Sequence, residues 1–275
     1  MTTVARPPGR VRTIVSFHAH PDDESLLTGG TLAGLAAAGH RVVIVTATAG
    51  ESGLTGPTSG DDSLAVRRLA ELDEAARRLG VARVVCLGYP DSGYGATTPS
   101  PDSFSRVPID EAAARLAAVL DEEHADVLTT YDERGGYGHP DHIRVHEVGH
   151  AAALRAGTPR VLQATIDRDR MLRLARLMRV VPGLPAELRV GAVRASYAPH
   201  SALTHCIDVT DQLDAKRAAM GAHESQRSGG RRPRSLDLFL RMPSAAFARI
   251  FGREWFIETG ASRRPELASD FWCEA

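Results

Sequence analysis

The sequence predicts an α/β fold: a Rossmann-like, mostly parallel sheet with helices on both faces and a C-terminal elaboration. Three observations carry that expectation. Strand-length apolar runs alternate with helical stretches from Val11 to Ile166. Some of these runs are continuous and β-branched, as strands buried on both faces are. Two runs are each followed, at a turn into a helix, by a knot of His and Asp, where open α/β sheets place their sites.

The elements follow in chain order. Val11 to Phe17 reads as a buried first strand, and Ser25 to Ala38 as its helix, closed by Gly39. Arg41 to Thr48 (RVVIVTAT) is the second strand. A Gly/Ser/Thr/Pro loop, Ala49 to Ser63, leads to an amphipathic helix, Leu64 to Leu79, which ends at Gly80. Arg83 to Leu87 is the third strand, with Cys86 as a core residue on it, and Gly88 to Pro108 is a second long loop. Ile109 to Glu122 is a helix, Ala125 to Thr130 the fourth strand, and Pro140 to Arg155 the next helix. Beyond Ile166 the pattern is less regular. Asp167 to Val180 is basic and helical, and Val181 to Ala192 is a Pro/Gly break. Thr204 to Val209 reads as a strand, and Asp211 to His223 as a helix capped by Asp211. Glu224 to Ser235 is a Gly/Arg-rich loop, and Arg253 to Ile257 a last short strand. With no repeat and no convincing linker, the expectation is a single domain over 1–275, its core about 12–166 and its elaboration 167–275.

A chain of 275 residues with 43% apolar side chains can bury one large core. Its formal net charge of −1 gives no basic field for nucleic acid. Lys216 is the only lysine; the other cations are arginines, which with the many alanines suggests a GC-rich bacterial genome. Cys86, Cys206 and Cys273 are an odd, scattered set, which suits a reducing cytosol rather than a disulfide framework. Met1 to Arg12 carries no apolar segment of signal-peptide type, and no run is long enough to span a membrane. A cytoplasmic protein is therefore expected, with neither nucleic acid nor membrane as partner. The oligomeric state stays open.

The two knots carry the chemistry. In Ala19-His20-Pro21-Asp22-Asp23-Glu24, His20 and Asp23 offer imidazole and carboxylate ligands for a divalent metal. In Gly138-His139-Pro140-Asp141-His142, His142 can supply a third. Three protein ligands leave a position open for water, as catalytic zinc sites do and structural ones do not. Asp22 is then the spare carboxylate within reach as a base. His139 would face the other side of the substrate and, if charged, stabilise an oxyanion, with Asp141 next door to raise its pKa. Blander readings stand beside these. The first knot could be a turn that caps a helix. His146 and His150 read as partners of core or surface groups, His18 as packing beneath the site, and His40, His124 and His200 as surface. The arginine pairs read as solvated helix faces. No GxGxxG, P-loop or GxSxG signature is present.

Together the knots resemble the LmbE-like, or PIG-L, family of zinc-dependent N-acetylglucosamine deacetylases. Ala49-Gly50-Glu51, Arg67-Arg68-Leu69-Ala70-Glu71, Asp91-Ser92-Gly93, Lys216-Arg217-Ala218-Ala219, Ala222-His223-Glu224-Ser225-Gln226 and Phe251-Gly252-Arg253-Glu254-Trp255-Phe256 are similar to the family as well. The resemblance implies zinc held by His20, Asp23 and His142, with Fe²⁺ suited to the same ligands. It implies Asp22 as general base, with a second role open as the acid for the departing amine. It implies His139 as oxyanion stabiliser tuned by Asp141, and Tyr137 near the substrate carbonyl. Arg68 and Asp91 look like the family's sugar-hydroxyl contacts and Glu51 like a pocket polar group. Arg68 also reads as a helix-surface partner of Glu71.

The function so implied is removal of an N-acetyl group from a GlcNAc-containing small molecule or glycoconjugate. The runner-up is a mycothiol-conjugate amidase, which cuts a larger acyl group by the same chemistry. A different class is a non-catalytic metal- or sugar-binding protein on this fold, against which Asp22 and His139 argue, since binding alone needs neither. The three long loops are expected to set specificity.

Overall fold

The computed structural model describes residues 10–53, 63–95, 99–178, 189–227, 235–261 and 266–273. Among them the strands are β1 (Thr13–His18), β2 (Arg41–Thr48), β3 (Arg83–Tyr89), β4 (Val127–Tyr131), β5 (Arg160–Thr165), β6 (His205–Asp208) and β7 (Arg253–Glu258). The helices are α1 (Asp23–Leu27), α2 (Gly29–Ala37), α3 (Leu64–Leu79), α4 (Ile109–Glu122), α5 (Gly135–Gly138), α6 (Pro140–Ala156), α7 (Arg168–Met178), α8 (Val190–Ala195), α9 (Leu213–Ala222), α10 (Glu224–Arg227), α11 (Ser235–Leu240) and α12 (Ser244–Phe251). The strands join in one sheet of order β3-β2-β1-β4-β5-β7-β6. The first five are mutually parallel, and β7 runs antiparallel to both β5 and β6. The mostly parallel α/β fold is thus the observed one. The C-terminal elaboration supplies the antiparallel edge by returning β6 and β7 to the same sheet.

Alternation of side chains along the strands divides the core between two faces. Val15, Phe17, Val43, Val45 and Leu128 pack with α4 and α6 on one side. Ile14, Val42, Ile44, Val127 and Leu162 pack with α2, α3 and α9 on the other. Chain order reverses between β1 and β4, which are neighbours in the sheet. That crevice, at the carboxyl ends of the two strands, is where open sheets bind ligands.

Several expectations are corrected. The first strand starts at Thr13, because Val11 is 68% exposed and outside the ladder. The helix expected over Ser25 to Ala38 is two, broken at Thr28 (φ −130°, ψ −3°). The second helix begins at Gly29 because the Glu254 carboxylate, from β7, caps the Gly30 and Thr31 N–H groups at 2.8 Å each. Lys216 Nζ neutralises that buried carboxylate at 2.6 Å. A cap that arrives from a remote strand leaves no local sequence signal. β5 is a strand beyond those expected from the sequence, and β3, β4 and β7 each run on to the residue that begins the following turn. Asp211 does not cap α9. It lies in a 3₁₀ turn, Thr210–Gln212, and Gln212 takes the cap position. His40 is buried instead of surface, with its ring 4.7 Å from that of Trp272. Cys86 is only half-buried on β3. Of the Pro/Gly break expected over Val181 to Ala192, residues 181–188 lie outside the described residues and the end is helical, since α8 starts at Val190; parts of the three long loops, 54–62, 96–98 and 228–234, also lie outside them.

Candidate metal centre

The site is assembled from the turns after β1 and β4. β1 delivers His20, Asp22 and Asp23 directly into α1. After β4 the chain must turn sharply to enter α6, and Gly135 and Gly136 take φ of +59° and +65° to do so. A Cβ on Gly135 would stand 2.5 Å from Ile143 N, so the tight approach of this turn to α6 requires glycine there. The turn presents Tyr137, His139, Asp141 and His142 to the first knot.

His20, Asp23 and His142 meet as the motif spacing predicts, with one ligand atom from each within 4.8 Å of the others. All three residues are buried. Asp23 Oδ2 lies 3.3 Å from His20 Nδ1 and 3.3 Å from His142 Nε2. His142 Nε2 is buried with no hydrogen-bond partner among the described residues. A buried, unpartnered imidazole nitrogen beside a carboxylate is costly unless something electropositive completes it. Neutral imidazole and carboxylate are donors that suit a divalent metal, so the cluster fits one.

The electrostatics agree. Burial alone would lower the His20 pKa, but Asp141, Asp23 and Asp91 override it and hold the imidazole well above its ordinary value. Burial would likewise raise Asp23, and His142 and His20 drive it well below the usual carboxylate range. The pocket therefore carries an excess of negative groups that draws positive charge inward.

Asp22 stands beside the triad without joining it. Its side chain is 22% exposed, and Oδ1 lies 3.5 Å from Arg68 Nη2. Burial pushes its carboxyl up to about 6, against the pull of Arg68 and with the repulsion of Asp23. A carboxylate poised there is matched to proton transfer near neutrality.

The structure revises the expected partnership of His139 and Asp141. The His139 ring is 4.7 Å from His20 and stacks against Tyr94 at 5.2 Å. Its Nδ1 accepts the Asp141 backbone N–H at 3.1 Å, so the helix N-cap fixes the proton on Nε2. The Asp141 carboxylate turns elsewhere. It accepts from Ser92 N at 3.0 Å and from the Ser92 hydroxyl, and it meets His20 Nε2 at 3.2 Å. Burial and the neighbouring His20 and His142 lower the His139 pKa to about 4, outweighing the upward pull that Asp141 exerts on it as expected. His139 is therefore a neutral donor through Nε2–H, and Asp141 orients His20, as carboxylates behind metal-binding imidazoles do. Tyr137, 40% exposed, is 4.9 Å from the His142 ring. Burial and the charges of Asp23 and Asp22 push its phenol well above the usual value, so it too stays a donor.

Arg68 is buried and does not pair with Glu71; Arg67 does, at 3.2 Å. Arg68 instead donates to Pro21 O and to Gly50 O, each at 2.5 Å. It packs so closely over Gly50 that a side chain there would collide with the guanidinium. Asp91 faces the centre, 3.5 Å from His20 Nε2, and accepts from Ser52 N and Gly93 N. Glu51 is exposed and accepts the Asp91 N–H at 2.8 Å, which places it on the rim. His18 lies beneath the site, between Ser16 Oγ at 2.7 Å and the Tyr131 hydroxyl at 3.0 Å. Four contributors had no role assigned from sequence: Ser92, Tyr94, Glu24 and His223. Glu24, Ser92 and His223 sit inside segments that resemble the family, which is their only sequence signal, whereas Tyr94 has none.

The family model for GlcNAc-PI de-N-acetylase (PIG-L) matches residues 15–153, which span both knots. The chain belongs to the PIG-L family. A relative from Nocardiopsis dassonvillei, named 1D-myo-inositol 2-acetamido-2-deoxy-alpha-D-glucopyranoside deacetylase, is 41% identical over 234 residues, covering 76% of this chain and 82% of the relative. One of the same name from Mycobacteroides abscessus is 39% identical, covering 78% and 81%. Among solved structures, the N,N'-diacetylchitobiose deacetylase of Pyrococcus horikoshii shares the fold at 22% identity and a TM-score of 0.57, over 93% of this chain and 86% of that one. This PIG-L chain is thus a deacetylase, and its relatives are named for N-acetylglucosamine-containing substrates. No helix among its described residues is long and apolar enough to cross a membrane.

Proposed function

We propose that this chain is a zinc-dependent deacetylase that releases acetate from a glucosamine joined to a small polyol, with the inositol glycoside of the relatives' names as the first candidate. The observation that carries the reading is the convergence of His20, Asp23 and His142, with the buried His142 Nε2 3.3 Å from Asp23 Oδ2 and without a hydrogen bond, and with Asp22 alongside. His20, Asp23 and His142 hold the ion, and Fe²⁺ suits the same donors. When bound, zinc supplies positive charge that polarises the amide carbonyl and acidifies water.

The protein's own groups do the rest. Asp22 accepts the proton of the attacking water, and it can return that proton to the departing amine. His139 Nε2–H and the Tyr137 hydroxyl donate to the carbonyl oxygen as negative charge develops on it. A neutral donor suffices, because a hydrogen bond to a developing oxyanion strengthens as charge builds. Asp141 and Ser92 hold the His20 ring in place. Arg68 and Asp91 shape the wall behind the site, and the exposed Glu51 on the rim is the group free to meet a sugar hydroxyl. The whole chain acts as one domain, and its free cysteines suit the cytosol.

The experiment is a mass-spectrometric screen of the GlcNAc–inositol glycoside, diacetylchitobiose and a mycothiol conjugate with purified protein. Loss of one acetyl group from the first substrate, abolished by chelator and restored by zinc, is the expected result. Cleavage of the conjugate's larger acyl group alone would favour the amidase. No turnover of any acetamido sugar with the metal bound would refute the reading.

A further inference from the structure

Asp22 has a backbone conformation that is uncommon for any residue with a side chain. Its φ is +110° with ψ −29°, and only His124 and Tyr197 share a positive φ among the described non-glycine residues. Such strain persists only where the surroundings over-determine it, and it clusters where geometry matters to function.

The constraints can be named. The Asp22 N–H donates to Glu24 Oε2 at 2.9 Å. The preceding carbonyl, Pro21 O, is held by Arg68. Glu24 is itself pinned at its other oxygen. Oε1 accepts from Ser25 Oγ at 2.5 Å and from His223 Nε2 at 2.8 Å. Glu24, Ser25 and His223 have no exposed surface. His223 follows α9, so the partner comes from the C-terminal elaboration, 199 residues along the chain. Without it, Glu24 would lose the anchor that aims Oε2 at the Asp22 amide. Asp22 could then relax to negative φ, which would swing its Cβ and carboxylate away from the triad.

We propose that the buried Glu24–His223 pair is a positioning device for Asp22: it holds the strained backbone of the base from beneath, and so gives the C-terminal elaboration a part in catalysis. This rests on Asp22 as the base. The rival is that the pair merely fastens the elaboration to α1.

Two measurements on the full chain as purified separate the possibilities. The first is thermal. Asp22→Gly tolerates positive φ freely and Asp22→Ala does not; the greater unfolded-chain entropy of glycine offsets the gap between them by a constant amount, so the change in that gap on adding His223→Ala reads the strain. Asp22→Gly should melt several degrees above Asp22→Ala, and at least half of that gap should vanish when His223→Ala is added. An undiminished gap overturns the proposal. The second is kinetic. His223→Ala should lower kcat about 10–100-fold, as a small misplacement of a reacting group does. Metal content and KM should stay within about twofold, and adding His223→Ala to Asp22→Asn should cause no further fall, as coupled sites require. Additive losses favour the fastening role and overturn the proposal. Should His223→Ala not fold, Glu24→Leu takes its place in both tests. Leucine fills similar volume but offers no acceptor to the Asp22 N–H or to His223, so the gap and kcat must fall with it too. Failure of the base reading looks different: Asp22→Asn would then turn over normally while the Gly–Ala gap still reports the pair.

Discussion

Asp22→Asn separates catalysis from stability at one atom. The folded protein raises the Asp22 carboxyl from 3.8 to about 6, burial being the main cause. At about 1.4 kcal/mol per tenfold change in proton affinity, keeping the group ionised at pH 7 costs the fold roughly 3 kcal/mol. The sign follows from proton counts. Between pH 3.8 and about 6 the folded chain binds more protons at this group than the unfolded chain, so stability falls as pH rises through that window. Asparagine has the same shape, cannot ionise and tolerates positive φ. In metal-free protein the variant should therefore match wild type below pH 3.8, gain on it up to about pH 6, and keep the gain above that. For a chain of this size each kcal/mol moves Tm by about 2–4 °C, so a rise of about 5 °C or more at pH 7 is expected by calorimetry. Adding zinc should narrow the gap, because a nearby cation favours the ionised carboxylate. With metal bound, kcat should fall about 10²–10⁴-fold, the usual cost of a lost general base. An unchanged Tm at pH 7 would refute the electrostatic argument. Wild-type turnover at full metal occupancy would refute the catalytic one.

Two further outcomes are expected. His142→Ala and Asp23→Ala should each lower the bound-metal stoichiometry measured by elemental analysis, and wild-type metal content in both would remove the triad from the centre. Arg68→Ala should lower both Tm and kcat/KM, because two buried charge-assisted bonds to Pro21 O and Gly50 O disappear at about 1.5–3 kcal/mol each. Wild-type stability in that variant would contradict the anchoring seen here.

By itself the sequence determined the first four strands of the sheet and the heart of the site. A β-branched run such as Arg41–Thr48 can satisfy its pattern only between two helical layers, and β2 matches it residue for residue. The knots were legible for a similar reason. A turn short enough to link a strand to a helix fixes where its side chains point, so His20 and Asp23 had to share a face. His142 joined them because β1 and β4 are neighbours at the reversal of strand order.

Tertiary structure alone decided the interactions that cross the chain. Composition could not say that Arg67 takes Glu71 while Arg68 turns inward, because neighbouring positions on a helix differ only in which side meets the core. The sequence neighbourhood of Asp141 suggested His139, yet a residue at an N-cap and the one two positions on direct their side chains apart, so the carboxylate found Ser92 and His20. The broken helix at Thr28 depends on Glu254, and the backbone of Asp22 on His223. Such contacts arise from packing between distant segments. Local propensity and periodicity carry no record of them, since each partner obeys its own neighbourhood until the fold brings the two together.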